Sequence, residues 1–195
     1  MIFISYFTQN TPYEEVMNDY LLPCLEKWEL KYDIQEVKNL GSWQNNTSYK
    51  PTFILEMLEK HKEDVVFLDA DATIEQYPKL FFEIPNEYNI ACHWLDWYKF
   101  WKNTEGESKR HLLSGTMMIR YNLETVDYIK KWIDACKNST QWEQRILQQI
   151  IEKDNYKTYN LPIEYCAIKK ENRDLIDNAV IVHHQVSRQY RNKIT

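Results

Sequence analysis

The sequence predicts an α/β fold, a mostly parallel central sheet flanked by helices. One reason is that short β-branched and aromatic runs alternate with amphipathic stretches of helical period through its first third. The other is the stretch Val65-Val66-Phe67-Leu68-Asp69-Ala70-Asp71. Its apolar half is short and shows no polar alternation, as a strand covered on both faces requires. Its acidic half falls just past the strand's carboxyl end, where open α/β sheets place their ligand sites. The 195 residues read as one domain, 1–195, long enough to bury roughly two-thirds or more of the unfolded chain's surface.

Taken in order, a first strand is expected over Ile2–Phe7, and the Thr-Pro pair in Thr8-Gln9-Asn10-Thr11-Pro12 signals a helix start. Glu14–Trp28 reads as an amphipathic helix, Tyr32–Val37 as a second strand, and Asn39–Tyr49 as a polar loop. Lys50-Pro51 opens a helix to about Lys60 with Phe53, Ile54, Met57 and Leu58 on one face, proline being favoured in a first helical turn. The strand Val65–Leu68 completes a β-α-β-α-β order, which predicts parallel pairing through right-handed crossovers. Tyr77-Pro78 and Ile84-Pro85 punctuate a connection to a strand at Ile90–His93. An aromatic block with Trp94, Trp97, Tyr98, Phe100 and Trp101 follows, then a charged, mobile loop over Lys102–His111. Leu112–Arg120 is read as a strand, Thr125–Cys136 and Trp142–Glu152 as helices, and Tyr156–Leu161 and Val180–His183 as the last strands.

Composition excludes several classes. A net charge of −5 supplies no broad basic field for nonspecific nucleic-acid binding. Only Gly41, Gly106 and Gly115 are glycines, so no Gly-rich phosphate loop is present. Cys24, Cys92, Cys136 and Cys166 form no CxxC pair, which points to reduced thiols rather than a zinc site or a disulfide framework. The apolar start Met1–Tyr6 is too short for a signal peptide, and no window approaches the ~20 apolar residues of a membrane span. A cytoplasmic location without stable membrane insertion is therefore expected.

Asp69 and Asp71 carry the strongest chemical signal. Residues i and i+2 of a strand point to the same side, so two carboxylates at a strand end can converge on one hard divalent ion. Taken with Tyr6-Phe7-Thr8 after the first strand, Lys50, the segment Leu113-Ser114-Gly115-Thr116-Met117-Met118-Ile119, Trp142-Glu143-Gln144-Arg145 and Val182-His183-His184-Gln185-Val186-Ser187-Arg188, the chain resembles a family. It is that of the GT-A-fold glycosyltransferases with a DXD motif, the small nucleotide-diphospho-sugar transferases. The resemblance covers nearly the whole chain and implies a sugar moved from a nucleotide-diphosphate donor, UDP-sugar by expectation, to a hydroxyl. That acceptor is a surface glycan, or a hydroxymethylated DNA base if the source is viral.

The resemblance also implies roles. Asp69, Asp71 and His183 would hold Mn²⁺ (or Mg²⁺). Neighbours in a strand face opposite ways, so only one of His183 and His184 should reach the metal. His183 is preferred because it ends an apolar run, where the resembled family places its metal-binding histidine. Tyr6 and Thr8 would take the uracil and ribose side, with Asp69 and Lys50 toward the phosphates. Arg188 and Arg191 suit the diphosphate because guanidinium forks match phosphate oxygens. Gly115 beside Ser114 would let the donor sugar approach the backbone. Glu143 would be the general base if the reaction inverts, and Glu143 or Gln144 would lie near the anomeric carbon if it retains. Trp94, Asp96 and Trp97 are the acceptor candidates, aromatic rings being able to stack a sugar or a base.

A rival resemblance exists. Asp69-Ala70-Asp71-Ala72-Thr73 is similar to the DxDxT nucleophile motif of haloacid-dehalogenase-like phosphatases. Two β-α units precede it here, whereas that motif follows its domain's first strand, and no GDxxxD-like segment comes later. A non-catalytic nucleotide-sugar-binding module is the other alternative.

Overall fold

In chain order the elements are β1 (Ile2–Thr8), α1 (Tyr13–Val16), a π-helical turn (Met17–Leu21), α2 (Leu22–Lys27), β2 (Tyr32–Val37), α3 (Trp43–Ser48), α4 (Lys50–His61) and β3 (Val65–Leu68). They continue with β4 (Ala72–Ile74), β5 (Ile90–Asp96), β6 (Arg110–Ile119), α5 (Leu123–Lys137), α6 (Glu143–Asp154), β7 (Tyr159–Asn160), β8 (Ala167–Ile168), β9 (Ile181–His183) and α7 (Ser187–Tyr190). The structure is a computed structural model and describes residues 1–98, 100, 110–169 and 176–190. Six strands form one sheet in the order β2-β1-β3-β6-β5-β7, and β4-β9-β8 form a second. In the large sheet β1 is parallel to β2 and β3, β7 is parallel to β5, and β6 runs antiparallel to both β3 and β5. The mostly parallel sheet expected from the β-α-β-α-β order is thus present, with β6 as its reversed strand.

Side-chain alternation assigns the two faces of that sheet. Ile2, Ile4, Val65, Phe67, Met117 and Ile119 pack on the α4, α5 and α6 side with Phe53, Leu58, Ile129, Trp132 and Leu147. Phe3, Val66, Leu68 and Met118 face the other way, onto Met17, Leu21 and Leu25 of the N-terminal helix, Phe81 of the 3₁₀ turn Lys79–Phe82 and Ile181 of the small sheet. β3 is therefore buried at every position, the physical reason its sequence shows no alternation.

Local signals explain most boundaries. Asn122 caps α5 by accepting from the Thr125 N–H, and Ser42 caps α3 by accepting from the Asn45 N–H. Lys62 and Asn155 close α4 and α6 in the left-handed conformation. Several expectations are corrected. The helix over Glu14–Trp28 contains a π turn at Met17–Leu21, because Pro23 in the first turn of α2 has no N–H to continue the α ladder. The polar loop over Asn39–Tyr49 holds α3. β4 and β8 were not expected, β5 extends to Asp96 and so takes in Trp94, and β7 is only Tyr159–Asn160. Of the charged loop Lys102–His111, residues 102–109 lie outside the described residues, while Arg110 and His111 belong to β6. Among the described residues no helix is long and apolar enough to cross a membrane.

Candidate active site

The site begins where β3 ends. The pairing of β3 with β6 stops at Leu68 opposite Thr116, and the Asp69 N–H then donates to the Gly115 carbonyl at 2.9 Å. On its other edge β6 breaks register with β5 between Cys92 and His93, whose partners are Met117 and Leu113, so Ser114-Gly115-Thr116 bulge out of that ladder. Such bulges re-aim side chains at a sheet rim. Ser114 is thereby turned toward Lys50 and the start of α6, and Thr116 toward β9.

The small sheet brings in the histidine. β4 pairs antiparallel with β9 so that Ala72 lies opposite His183, one residue from Asp71. Asp69, Asp71 and His183 then offer ligand atoms all within 4.8 Å of one another. Gly115 is the floor beneath them. A Cβ there would lie 2.8 Å from His183 Cε1 and 2.9 Å from Asp69 Oδ2, closer than carbon and oxygen can pack. The Thr116 hydroxyl holds His183 Nε2 at 2.8 Å, and Nδ1 lies 3.9 Å from Asp71 Oδ1. Asp71 is itself fixed, its Oδ2 accepting from the Val186 N–H at 2.8 Å. His184 faces away, with Nε2 on Thr73 Oγ1 and its ring against Tyr20.

Charge in this group is strongly coupled. Burial alone would raise the Asp71 carboxyl, but His183 and the Val186 N–H more than reverse it and hold it below the usual carboxylate range. Burial alone would lower His183, yet Cys166, Asp71 and Asp69 outweigh it and the imidazole is pushed up to about 10. In the metal-free protein a group so raised contributes stability that is complete below its unfolded value of about 6.5 and is lost as pH climbs toward about 10. A ligating metal would have to displace that proton, so the affinity of this group for a metal ion is expected to rise with pH. Imidazole NMR of the metal-free protein tests this: His183 should titrate well above neutrality, and a midpoint near 6.5 would sink the assignment.

Beside the carboxylates lies a second, buried network. The Lys50 ammonium on α4 sits 3.0 Å from Asp69 Oδ1, 3.1 Å from Glu143 Oε1 and 3.0 Å from Ser114 Oγ. Ser114 Oγ donates to Glu143 Oε1 at 2.9 Å, and the Ser114 N–H donates to Gln144 Oε1 at 3.1 Å. Lys50 and Glu143 are nearly inaccessible to solvent, whereas Asp69 opens onto the cleft with its side chain 41% exposed. Burial works against the Lys50 ammonium, but the two carboxylates prevail and raise its pKa.

These groups line a cleft of about 360 Å³, of the size that holds small molecules. Of the residues expected at the site, Tyr6, Thr8, Lys50, Asp69, Asp71, Trp97, Ser114, Glu143, Gln144, His183 and Arg188 line it. Tyr6 donates its hydroxyl to the Asn46 carbonyl at 2.9 Å, and Thr8 Oγ1 lies 2.9 Å from Thr11 Oγ1. Trp94 and Asp96 do not line it: the Trp94 indole N–H donates to Thr158 Oγ1 at 3.1 Å, and Asp96 pairs in register with Arg110. Arg191 lies outside the described residues. Sequence reasoning missed Tyr13, Trp43 and Asn46, which also line the cleft, and gave no role to Trp142 and Gln185, which stood in its motif segments and line the cleft too. The Thr-Pro helix start before Tyr13 and the cap residue Ser42 before Trp43 were the available signals.

Residues 24–195 match the family described as nucleotide-diphospho-sugar transferase. Among solved structures the chain is similar to a glycosyltransferase involved in the glycosylation of the major capsid of PBCV-1, with a TM-score of 0.71 and 16% identity over 98% of this chain and 97% of that one. It is also similar to mouse xyloside xylosyltransferase 1 (TM-score 0.58, 10% identity, 95% of this chain and 98% of that one). A third likeness is to the galactosyltransferase LgtC in complex with donor and acceptor sugar analogs (TM-score 0.56, 9% identity, 95% and 87% of the chains). No curated protein matches the sequence. The structures speak for the GT-A fold, the family match speaks for the chemistry, and together they set the phosphatase reading aside. With its family match running over most of its length, the chain belongs to the nucleotide-diphospho-sugar transferases and is a glycosyltransferase.

Proposed function

We propose that the 195 residues act as one GT-A domain that moves a sugar from a UDP-sugar to a hydroxyl of a glycan acceptor, with Mn²⁺ (or Mg²⁺) held by Asp69, Asp71 and His183. The observation that carries this reading is the convergence of those three side chains at the floor of the cleft, beside Ser114 and Gln144. Two carboxylates and an imidazole are a donor set suited to Mn²⁺, and Gly115 leaves the room beneath them. When bound, the ion would neutralise charge developing on the departing diphosphate.

The chain's own residues supply the rest. Arg188 on α7 reaches the cleft and supports the diphosphate with a guanidinium. Gln144 has its amide oxygen anchored on the Ser114 N–H, so its NH₂ is the end left to meet the sugar. Glu143 is committed to Lys50 and Ser114 and acts as a positioning residue; an inverting transfer would require its release from Lys50. Trp97, through the cleft wall, is the member of the expected aromatic block that supports an acceptor role.

The test is release of nucleotide diphosphate from a panel of nucleotide sugars, with Mn²⁺ and with chelator. Turnover of one donor, abolished by chelator and restored by Mn²⁺, is the expected result. Turnover indifferent to chelator would remove the metal from the reading, and no donor turned over under any condition would remove the activity.

A further inference from the structure

We propose that Trp43 and Trp142 form the acceptor platform, a corner of two indoles that takes the apolar face of a pyranose ring. The two belong to different elements, Trp43 opening α3 and Trp142 occupying the N-cap position of α6. Their rings meet edge to face, with centroids 5.7 Å apart and planes at 86°. Trp142 is 52% exposed although its indole lines the cleft. The rim is joined by a second contact, in which the Gln44 side-chain N–H donates to the Thr140 carbonyl. An indole fixed in an open cleft, rather than folded into the nearby core, presents a face to whatever enters.

Position argues for the acceptor. The candidate metal ligands Asp71 and His183 are buried, Glu143 is buried, Gln144 is half-buried and Trp142 is exposed. The donor must occupy the deep end to reach the carboxylates, so the partner that arrives at the open end is the acceptor. Shape argues for a pyranose. Two faces at a right angle cannot sandwich a flat nucleobase between them, whereas a puckered ring with C–H bonds on one face and hydroxyls on its rim fits a corner. Sugar hydroxyls stay in water while the C–H face covers apolar surface.

This inference rests on the glycosyltransferase reading for the word acceptor, and its test is independent of turnover. Calorimetry would titrate methyl β-galactoside, methyl β-glucoside, methyl α-mannoside and 5-hydroxymethyldeoxycytidine into protein holding UDP and Mn²⁺. At least one glycoside is expected to bind and to shift tryptophan fluorescence. Trp142→Ala should weaken it by about tenfold, the scale of one aromatic stacking contact, with Trp142→Phe retaining most of the affinity. The proposal is overturned if no glycoside binds the wild type, or if the nucleoside binds more tightly than every glycoside. It is also overturned if the Phe and Ala variants lose affinity equally, or if UDP affinity falls by the same factor as glycoside affinity. Glycoside binding without nucleotide-diphosphate release would sink the activity alone, and release without glycoside binding would sink the platform alone.

Discussion

Asp71→Ala is expected to lower sugar transfer by about a thousandfold or more, the several kcal/mol that a metal ion contributes to developing charge at about 1.4 kcal/mol per decade of rate. The side chain does two things at once. Its Oδ1 faces His183 in the three-residue group, and its Oδ2 holds the Val186 N–H, which anchors the segment leading to Arg188. The Asn variant separates them, because an amide oxygen can still accept from Val186 while the charge is gone. If metal binding is what matters, Asp71→Asn and Asp71→Ala should be nearly equally impaired at saturating donor, and raising Mn²⁺ should partly rescue both. Should Asp71→Asn instead keep a rate within about tenfold of wild type, the residue serves the backbone and not the metal. Rates at several Mn²⁺ concentrations decide it.

Lys50→Met is expected to destabilise the fold by about 3–5 kcal/mol, the range found when one partner of a buried ion pair is removed. The ammonium is shared between Glu143 and Asp69, and the Glu143 half is the expensive one because both partners are almost wholly shielded from water. Asp69 keeps solvent through the cleft and loses less. Without Lys50, Glu143 is left as an unpaired buried carboxylate, which favours its protonated form and raises its pKa. A carboxyl raised in the folded state is stabilising only where it is protonated, so the variant's deficit should narrow as pH falls from 8 to 5. Urea unfolding of both proteins across that range measures it. A deficit that stays constant with pH would mean that lost packing, not the stranded charge, is responsible.

These residues also show what kind of information a sequence holds. The order of elements, the buried strand Val65–Leu68 and the acidic pair at its end are local features, and each was readable because periodicity and strand ends are properties of consecutive residues. The glycine at position 115 was readable as a close approach, but not what approaches it: the crowding atoms belong to His183 and Asp69, far away along the chain. α3 escaped notice because Trp43–Ser48 has six residues and no apolar stripe, and it is tied down by contacts from Tyr6 and Gln44 that no window contains. β4 escaped because three residues carry no alternation to detect, yet its pairing with β9 is what sets His183 beside Asp71. Lys50 shows the limit most plainly. As a sequence feature it was a first-turn lysine free to reach phosphate, and only the packing of α4 against α5 and β3 turned its ammonium onto Glu143 and Asp69. By itself the sequence determined the fold class, the strand that carries the carboxylates and the chemistry they favour. The tertiary structure alone decided which distant groups neutralise, orient and enclose them, because burial and charge pairing depend on distances through space.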